Sequence, residues 1–467
     1  MSTASEDRGL PAAHLVVEQL LAAVPEGIAI VEESSEVEVR FANNTTTTNG
    51  RRRSRRVTLI CLLPSSDGTG TSVGSASRSG AADLDDLVAA AQADAQSTPA
   101  ANDASPLATG AADPFFEEPA PQTEPSVLRP VVEGLAAAFH RASSAGNVLA
   151  GFAEHHLDTV YLGTSAGVRR RHVQATGAIN LVGRSSDGRR SAWVGHAGPE
   201  LDAVSIESLE AHLAQRLEWA RRTVTLEPGR YEVVLPPAAV ADLMVALVDA
   251  ASGPEAEEGR TVFSAGHGAT RVGEQLATSP FELRSDPFEP GLECLPFLVA
   301  EASGPDVSVF DNGLPLARTT WITGGRLERL RYHRAGARRS GVAFTPPIDN
   351  LVLELDGARG TSEDLVASTD RGLLLTCLWY IREADPATLL LTGLTRDGVY
   401  LIERGEVVAA VNNFRFNESP VDLLARATEA GSPVRTLGRE FGEWMNRTAM
   451  PALRIPDFNM SSTSAAS

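Results

Sequence analysis

Residues 226–248, "LEPGRYEVVLPPAAVADLMVALV", decide the fold of the C-terminal half of this 467-residue chain. The run EVVL at 232–235 predicts a short strand. Pro236 and Pro237 follow it, and proline is well tolerated at the start of a helix, where a missing N–H costs little. Residues 237–250 then predict an apolar helix. The sequence beyond them is mostly short strand patterns and glycine turns, which predicts a strand-rich domain over 226–467 around this central helix.

Upstream of this stretch, residues 128–225 predict a β-meander domain with helices. The first helix is expected over 131–145, and another begins after Ser205, whose hydroxyl group is a good N-cap. Three strand patterns separated by turns such as SSDGR lie between these helices, at 151–163, 168–183 and 191–198.

The first 95 residues predict an N-terminal α/β domain. An apolar stripe at helical spacing covers 14–24, and residues 28–42 indicate a strand, a turn and a second strand. Residues 96–127 are rich in Ala, Pro, Asp and Glu, a composition typical of a flexible linker. The predicted fold class is α+β, with domains at 1–95, 128–225 and 226–467.

The segment FANNTTTTNGRRRSRR at 41–56 combines polar β-branched residues with five arginines. The pair Asn49-Gly50 suits a hairpin turn because both residues tolerate positive φ. We therefore expect the arginines to begin or flank the next strand. An arginine run is also a nucleic-acid-binding pattern, but the net charge of the chain is −19, which repels a phosphate backbone. No nucleic-acid partner is expected, and the role of the arginines stays open.

The composition excludes several kinds of chemistry and predicts a compartment. All basic residues are arginines, so neither a lysine Schiff base nor a GxxxxGK[ST] phosphate loop can form. Three widely spaced cysteines fit a reducing environment. The N-terminal sequence MSTASEDRGL lacks the pattern of a signal peptide, and no apolar run approaches about 18 residues. These features predict a cytoplasmic protein that does not cross a membrane.

The histidines of the meander are the natural place to look for a metal site. His155, His156, His172 and His196 fall on predicted strands, and three of them on one face would suffice for zinc. However, none has a recognisable ligand spacing, and His155 and His156 are neighbours that point to opposite faces of a strand. Separate surface or packing histidines are the alternative interpretation. The HExxH and HExxxH motifs are both absent.

Two further patterns share residue types with catalytic sites but lack the structural context that catalysis requires. Ser165 in GTSAG fits the GxSxG pattern, but it lies between two predicted strands rather than at a strand–helix elbow. Glu354 and Asp356 share one strand face, but general acid–base catalysis requires a cleft that the sequence does not indicate. A small-residue turn and a solvated strand edge are the alternatives.

Several segments, taken in order, resemble the TldD/PmbA family and, within it, the TldE (PmbA) branch. They are LEPGRYEVVLPPAAVADLM, RVGEQL, SDPFEPGLECLPF, FDNGLPL, TDRGLLLT, TRDGVYLIERGEVV, NNFRFNESPVDLLARA and MPALRIPDFNMSS. The segment FANNTTTTNG with its arginines is similar to the N-terminal domain of actinobacterial-type members. The resemblance covers nearly the whole chain except the 96–127 segment.

The resemblance implies a role in proteolysis without a catalytic site in this chain. In TldD the central helix carries HExxxH, and a later cysteine completes the metal site. Here the corresponding helix reads AVADLMVALV, and no cysteine follows Cys377. We therefore expect no catalytic residue, metal ligand or cofactor in this chain. The resemblance implies a heteromeric zinc metalloprotease complex in which a TldD-like partner holds the zinc and unfolded peptides are the substrates.

One segment is predicted to contact the peptide or the partner. It comprises Asn412, Asn413, Phe414, Arg415 and Phe416, although the same alternation of aromatic and polar residues suits an ordinary edge strand. Two other functions stay open at this point. One is an active peptidase with a metal site on the meander histidines, and the other is a non-enzymatic scaffold that binds peptides.

Overall fold

The computed structural model describes residues 10–201 and 204–464. The chain has a mixed α+β fold, which confirms the predicted class. The prediction that the chain has no signal peptide rests on the N-terminal sequence. Residues 1–9 of that sequence lie outside the described residues. Among the described helices, none is both long and apolar enough to cross a membrane.

Six long antiparallel strands form the first sheet, which we call sheet 1. Their spatial order is β3-β2-β1-β4-β5-β6. The strands are β1 Gly27–Ala42, β2 Thr45–Pro64, β3 Thr71–Ser79, β4 Asn147–Thr164, β5 Arg169–Ser185 and β6 Ser191–Gly198. Residues 28–41 of β1 pair with residues 151–164 of β4, so the segments 1–95 and 128–225, predicted as two separate domains, share one sheet.

Four helices cover one face of sheet 1: α1 Ala13–Ala22, α2 Leu84–Ser97, α3 Arg129–Ser144 and α4 Ile206–Trp219. Every second residue of each strand points to this face. Val31, Val37 and Ile179 are among the residues that pack beneath the helices. On the opposite face Ile28 and Ile30 pack against Phe310. We call these two sides the helix face and the inner face, the inner face being the one that contacts the C-terminal half.

The predicted turns within residues 28–50 are wrong. Strand β1 runs unbroken through Ser34 and Ser35 because it is hydrogen-bonded on both sides, to β2 and to β4. The hairpin turn lies at Asn43-Asn44, where both residues have positive φ (52° and 57°). Asn49 and Gly50 instead lie inside β2, and the arginines follow them in the same strand.

The five arginines of β2 all form hydrogen bonds within the chain. Arg52 and Arg55 bond Glu36 and Glu33 of β1. Arg56 reaches Glu301 in the C-terminal half. Arg51 and Arg53 bond Gln122, and Arg51 also bonds Glu124, in the segment 96–127. The run therefore ties together parts of the chain that are distant in sequence.

Residues 96–127, interpreted from their composition as a flexible linker, instead pack along sheet 1. Phe116 is buried and stacks edge-to-face against Tyr161. The Tyr161 hydroxyl group donates a 2.6 Å hydrogen bond to the carbonyl of Glu118. The hydroxyl oxygen of Thr123 lies 2.7 Å from Nδ1 of His155, within hydrogen-bond distance. The packing depends on a few anchoring residues, and the overall composition of the segment does not reveal them.

The C-terminal half contains the remaining strands and helices, built around helix α5 Pro237–Asp249. The strands are β7 Thr223–Val224, β8 Gly229–Leu235, β9 Ser264–Gly266, β10 Ala269–Thr270, β11 Phe281–Ser285, β12 Thr319–Thr323, β13 Arg326–Leu327, β14 Leu351–Leu355, β15 Arg371–Leu375, β16 Trp379–Asp385, β17 Leu390–Leu394, β18 Val399–Glu403, β19 Glu406–Val411, β20 Phe414–Glu418, β21 Glu429–Ala430, β22 Val434–Thr436, β23 Thr448–Met450 and β24 Leu453–Thr463. The other helices are α6 Gly253–Glu257, α7 Arg334–Ser340, α8 Ser362–Ala367 and α9 Pro420–Arg426.

Two large sheets share the core that contains α5. The ten-stranded sheet follows the order β16-β17-β20-β24-β8-β15-β18-β19-β7, with β21 beside β24. The six-stranded sheet follows the order β13-β12-β11-β14-β23-β22. Side chains from α5 and from both sheets form one hydrophobic cluster. The short hairpin of β9 and β10 lies outside these two sheets.

Candidate functional site

Helix α5 occupies the place where the family resemblance positions a metal-binding helix. All residues from 239 to 248 are buried. The side chains are those of alanine, valine, leucine and methionine, with Asp242 as the single ionisable group among them. An apolar helix of this kind is stable because it is surrounded by packed side chains.

The carboxylate of Asp242 is bound by the backbone of a distant segment. It accepts hydrogen bonds from the N–H groups of Arg439 (2.9 Å), Glu440 (3.1 Å) and Phe441 (2.9 Å). A Cβ atom at Gly438 would lie only 2.4 Å from Oδ1, so the segment approaches the carboxylate closely because residue 438 is glycine. Burial raises the pKa of Asp242 to about 7, while the three N–H groups act in the lowering direction. Asp242 therefore anchors the segment 438–441.

The residues around α5 do not fit a catalytic zinc ion. Such a site requires three protein ligands and an open position for water. Asp242 is committed to backbone N–H groups. Cys377 is buried with its Sγ 3.3 Å from the carbonyl of Arg396, and burial raises the pKa of its thiol to about 12. His333 caps helix α7 by accepting a hydrogen bond from the N–H of Gly336. The described residues around α5 therefore offer no set of ligands for a zinc-dependent step.

Arg439 connects the anchored segment to sheet 1. Its guanidinium carbon lies 3.5 Å from the ring centroid of Trp379 on β16 and 5.1 Å from that of Trp193 on β6. Trp193 is 1% exposed, and its indole N–H donates a 2.7 Å hydrogen bond to Asn180. Asp242 and Arg439 together therefore join the central helix, the ten-stranded sheet and the inner face of sheet 1.

The structure separates the residues of the predicted contact segment. Strand β20 lies between β17 and β24, so it is an interior strand, and Phe414 and Phe416 are fully buried. Asn412 accepts a 2.7 Å hydrogen bond from the N–H of Leu226, and the carbonyl of Asn413 accepts one from Ser464. Arg415 is exposed. A peptide or partner contact through this segment stays a prediction, and the geometry restricts it to Arg415 and the partly exposed asparagines.

The four meander histidines do not converge. His155 and His196 lie on the helix face of sheet 1, whereas His156 and His172 lie on the inner face, as the alternation of the strands requires. His156 pairs with Thr176 and His172 with Val160, so even these two lie several residues apart along the strands. Among the described residues, the group whose ligand atoms come close enough for a metal ion is Glu36, Glu154 and His156.

The other candidate motifs have structural roles in the described chain. Ser165 lies in the turn between β4 and β5, and its hydroxyl group accepts a 3.1 Å hydrogen bond from the N–H of Gly27. Glu354 faces Arg284 at 3.7 Å. Asp356 lies in the exposed turn after β14. None of these arrangements forms a catalytic group.

Sequence reasoning missed Asp242, Arg439 and the Glu36 cluster. A signal for Asp242 was present, because it is the one charged residue within a ten-residue buried run. The partners of Arg439 and the convergence of Glu36 with His156 depend on strand pairing between distant segments, which has no local pattern.

The comparison with family models agrees with this architecture. A model described as the PmbA/TldA metallopeptidase C-terminal domain matches residues 228–462, which is just over half of the chain. The chain belongs to the PmbA/TldD family. The matched residues include α5, nearly all of the two sheets around it and the segment bound by Asp242. The search of curated proteins gave no match.

Solved structures of several prokaryotic proteins share the fold over nearly the whole chain. TldE from Thermococcus kodakarensis matches with a TM-score of 0.76 at 18% identity, over 96% of this chain and 99% of that one. A putative modulator of a DNA gyrase from Thermotoga maritima gives 0.71 at 16% identity, over 95% and 99%. One from Bacteroides thetaiotaomicron gives 0.73 at 14% identity, over 96% and 98%. At these identities the likeness concerns the fold, including sheet 1, and the actinobacterial type stays a prediction.

Proposed function

We propose that this chain is a non-catalytic, TldE-like subunit of a heteromeric TldD/TldE metalloprotease complex. The observation that carries the proposal is the interior of α5, where Asp242 binds three backbone N–H groups and its neighbours are apolar. Because Asp242 and apolar side chains take up the buried positions of α5, the helix has no position for zinc-binding imidazoles. The zinc, the attacking water and the general base are supplied by a TldD-like partner.

The strand-rich C-terminal half is suited to holding extended, unfolded peptides. Such peptides bind by adding a strand to the exposed edge of a sheet. Strand β16 lies at one end of the described ten-stranded sheet, and its Tyr380 is 47% exposed. Trp379 on the same strand stacks on Arg439, which places this edge beside the segment anchored to α5.

The proposed complex works in the cytoplasm. The cysteines Cys61, Cys294 and Cys377 are all free and buried. Free thiols are typical of a reducing compartment, where disulfides do not persist.

Reconstitution tests the proposed function. This chain and a same-fold protein that carries HExxxH are purified separately and mixed, and unfolded casein is the substrate. We expect the two chains to elute together on size exclusion and casein cleavage to require both. Two chains that elute separately, with cleavage by the HExxxH protein unaffected by this chain, would refute the proposal.

A further inference from the structure

Three side chains with metal-binding groups converge on the inner face of sheet 1. Glu36 on β1 is the cross-strand partner of His156 on β4, and Glu154 precedes His156 by two residues. All three therefore point to the same face. One ligand atom from each lies within 4.8 Å of the others. We propose that Glu36, Glu154 and His156 bind one divalent cation with the ligand preference of zinc.

The donor set selects this class of cation. Two carboxylates and one imidazole suit zinc and related first-row metals, whereas magnesium prefers oxygen ligands alone. Bonds of about 2.1 Å place the donors of a tetrahedral zinc site roughly 3.4 Å apart. Nε2 of His156 already lies 3.7 Å from Oε1 of Glu154. Small side-chain rotations therefore complete three protein ligands, and water fills the remaining position.

The charges around the cluster favour a bound cation. Glu36 is only 8% exposed, and Arg52 donates hydrogen bonds of 2.9 and 2.6 Å to one of its oxygens, Oε2. Arg40, ion-paired with Glu38, also interacts with Glu36 and Glu154, so two arginines face the three carboxylates of Glu36, Glu38 and Glu154. A divalent cation would offset the carboxylate charge that the two arginines leave unbalanced.

The ligands are held by a preorganised framework. Strands β1 and β4 pair over fourteen consecutive positions, from Ile28 to Phe41 on β1, without a bulge. Glu36 and His156 are therefore fixed at cross-strand distance, about 4.5–5.5 Å between their Cβ atoms. A cation here would clamp together two strands that come from segments distant in sequence. It lies on sheet 1 rather than at α5, and it changes the expectation that this chain holds no metal.

Zinc titration of the full chain tests the site. Isothermal titration calorimetry with ZnCl₂ is expected to show one ion per chain, and MgCl₂ under the same conditions no measurable heat. His156→Gln and Glu154→Gln should each weaken zinc binding at least tenfold. His172→Gln is the matched control, since His172 lies on the same face of sheet 1 outside the cluster, and it should leave the affinity unchanged. An absence of stoichiometric zinc binding, or equal affinity in all variants, would overturn the proposal.

A measurement on the unmodified chain covers the case in which a variant does not fold. Crystals soaked in ZnCl₂ should show an anomalous difference peak between Glu36 and His156, and the absence of such a peak would overturn the site. The result is independent of the proposed function, because casein cleavage by the reconstituted complex does not depend on this cluster. His156→Gln should therefore leave cleavage unchanged.

Discussion

Asp242 Oδ2 accepts a 2.9 Å hydrogen bond from the backbone N–H of Arg439, a residue 197 positions further along the chain. This bond fixes the segment whose arginine side chain stacks on Trp379 and lies over Trp193. The centre of α5 therefore organises the junction between sheet 1 and the C-terminal half. In this chain the helix that the family resemblance associates with zinc has a structural role.

Replacing Asp242 with alanine should destabilise the fold. The change leaves the N–H groups of residues 439–441 without their acceptor, and each buried unsatisfied N–H costs about 1–3 kcal/mol. We expect the free energy of unfolding, from urea titration at pH 5, to fall by at least about 2 kcal/mol. The control is Asp422→Ala, an exposed aspartate on α9, which should change it by less than about 0.5 kcal/mol. Equal effects would contradict the anchoring role.

The buried carboxyl group predicts a specific pH dependence. Burial raises the pKa of folded Asp242 from 3.8 to about 7, so the folded chain holds this proton more tightly than the unfolded chain. The resulting stabilisation is complete below about pH 4 and is lost as the pH rises through about 7. It amounts to on the order of 4 kcal/mol at about 1.4 kcal/mol per unit.

Asp242→Asn removes this titration and serves as its reference. As the pH rises from 5 to 8, the unfolding free energy of the wild type should fall relative to that of Asp242→Asn. A difference that is the same at both pH values would show that Asp242 does not titrate in this range.

Gly438→Ala should disturb the same contact from the other side. The added methyl group would lie 2.4 Å from Oδ1 of Asp242, and overpacking of this kind costs about 1–3 kcal/mol. In the Asp242→Ala background the clash with the carboxylate is absent, so the double mutant should be less destabilised than the sum of the single changes. Gly304→Ala is the control, because a Cβ there meets no atom within 4 Å. Strict additivity would argue against the contact.

Arg439→Met should loosen the junction with sheet 1. Methionine keeps much of the volume but removes the charge over Trp379 and Trp193, an interaction worth about 1–2 kcal/mol when partly desolvated. We expect a loss of that size together with a change in tryptophan fluorescence. Arg329→Met, at an exposed arginine, should change neither quantity. An unaltered emission spectrum in Arg439→Met would exclude stacking in solution.

The predicted contact segment separates into a surface residue and core residues. Arg415→Ala should leave the melting temperature unchanged but weaken assembly with the TldD-like chain or casein cleavage, since Arg415 is exposed. Phe416→Ala should cost about 3–5 kcal/mol because it empties a fully buried position. Unchanged activity of the reconstituted complex with Arg415→Ala would rule out a contact role for this residue.

Local patterns predicted much of the secondary structure. Helix α4 begins after its N-cap Ser205 and α5 begins at Pro237, because capping residues and proline act through neighbouring backbone atoms. The α+β class followed from the same patterns. The prediction of a turn at Asn49-Gly50 was wrong because Asn43-Asn44 can form a hairpin turn equally well. The pairing of β1 with β4 decides between the two positions.

Contacts between distant segments were beyond the reach of the sequence. The continuity of sheet 1 depends on the pairing of β1 with β4, more than a hundred residues apart. The packing of residues 96–127 depends on single anchors such as Phe116, which composition does not distinguish from a flexible chain. The absence of HExxxH was visible from the sequence, but the use that the structure makes of Asp242 was not.

The most direct test of the central claim is casein cleavage by this chain alone in zinc-containing buffer, compared with the chain mixed with its HExxxH partner. The account predicts no cleavage by the chain alone, whether or not zinc binds on sheet 1, and chelator-sensitive cleavage by the mixture. Chelator-sensitive cleavage by the chain alone would contradict the non-catalytic role.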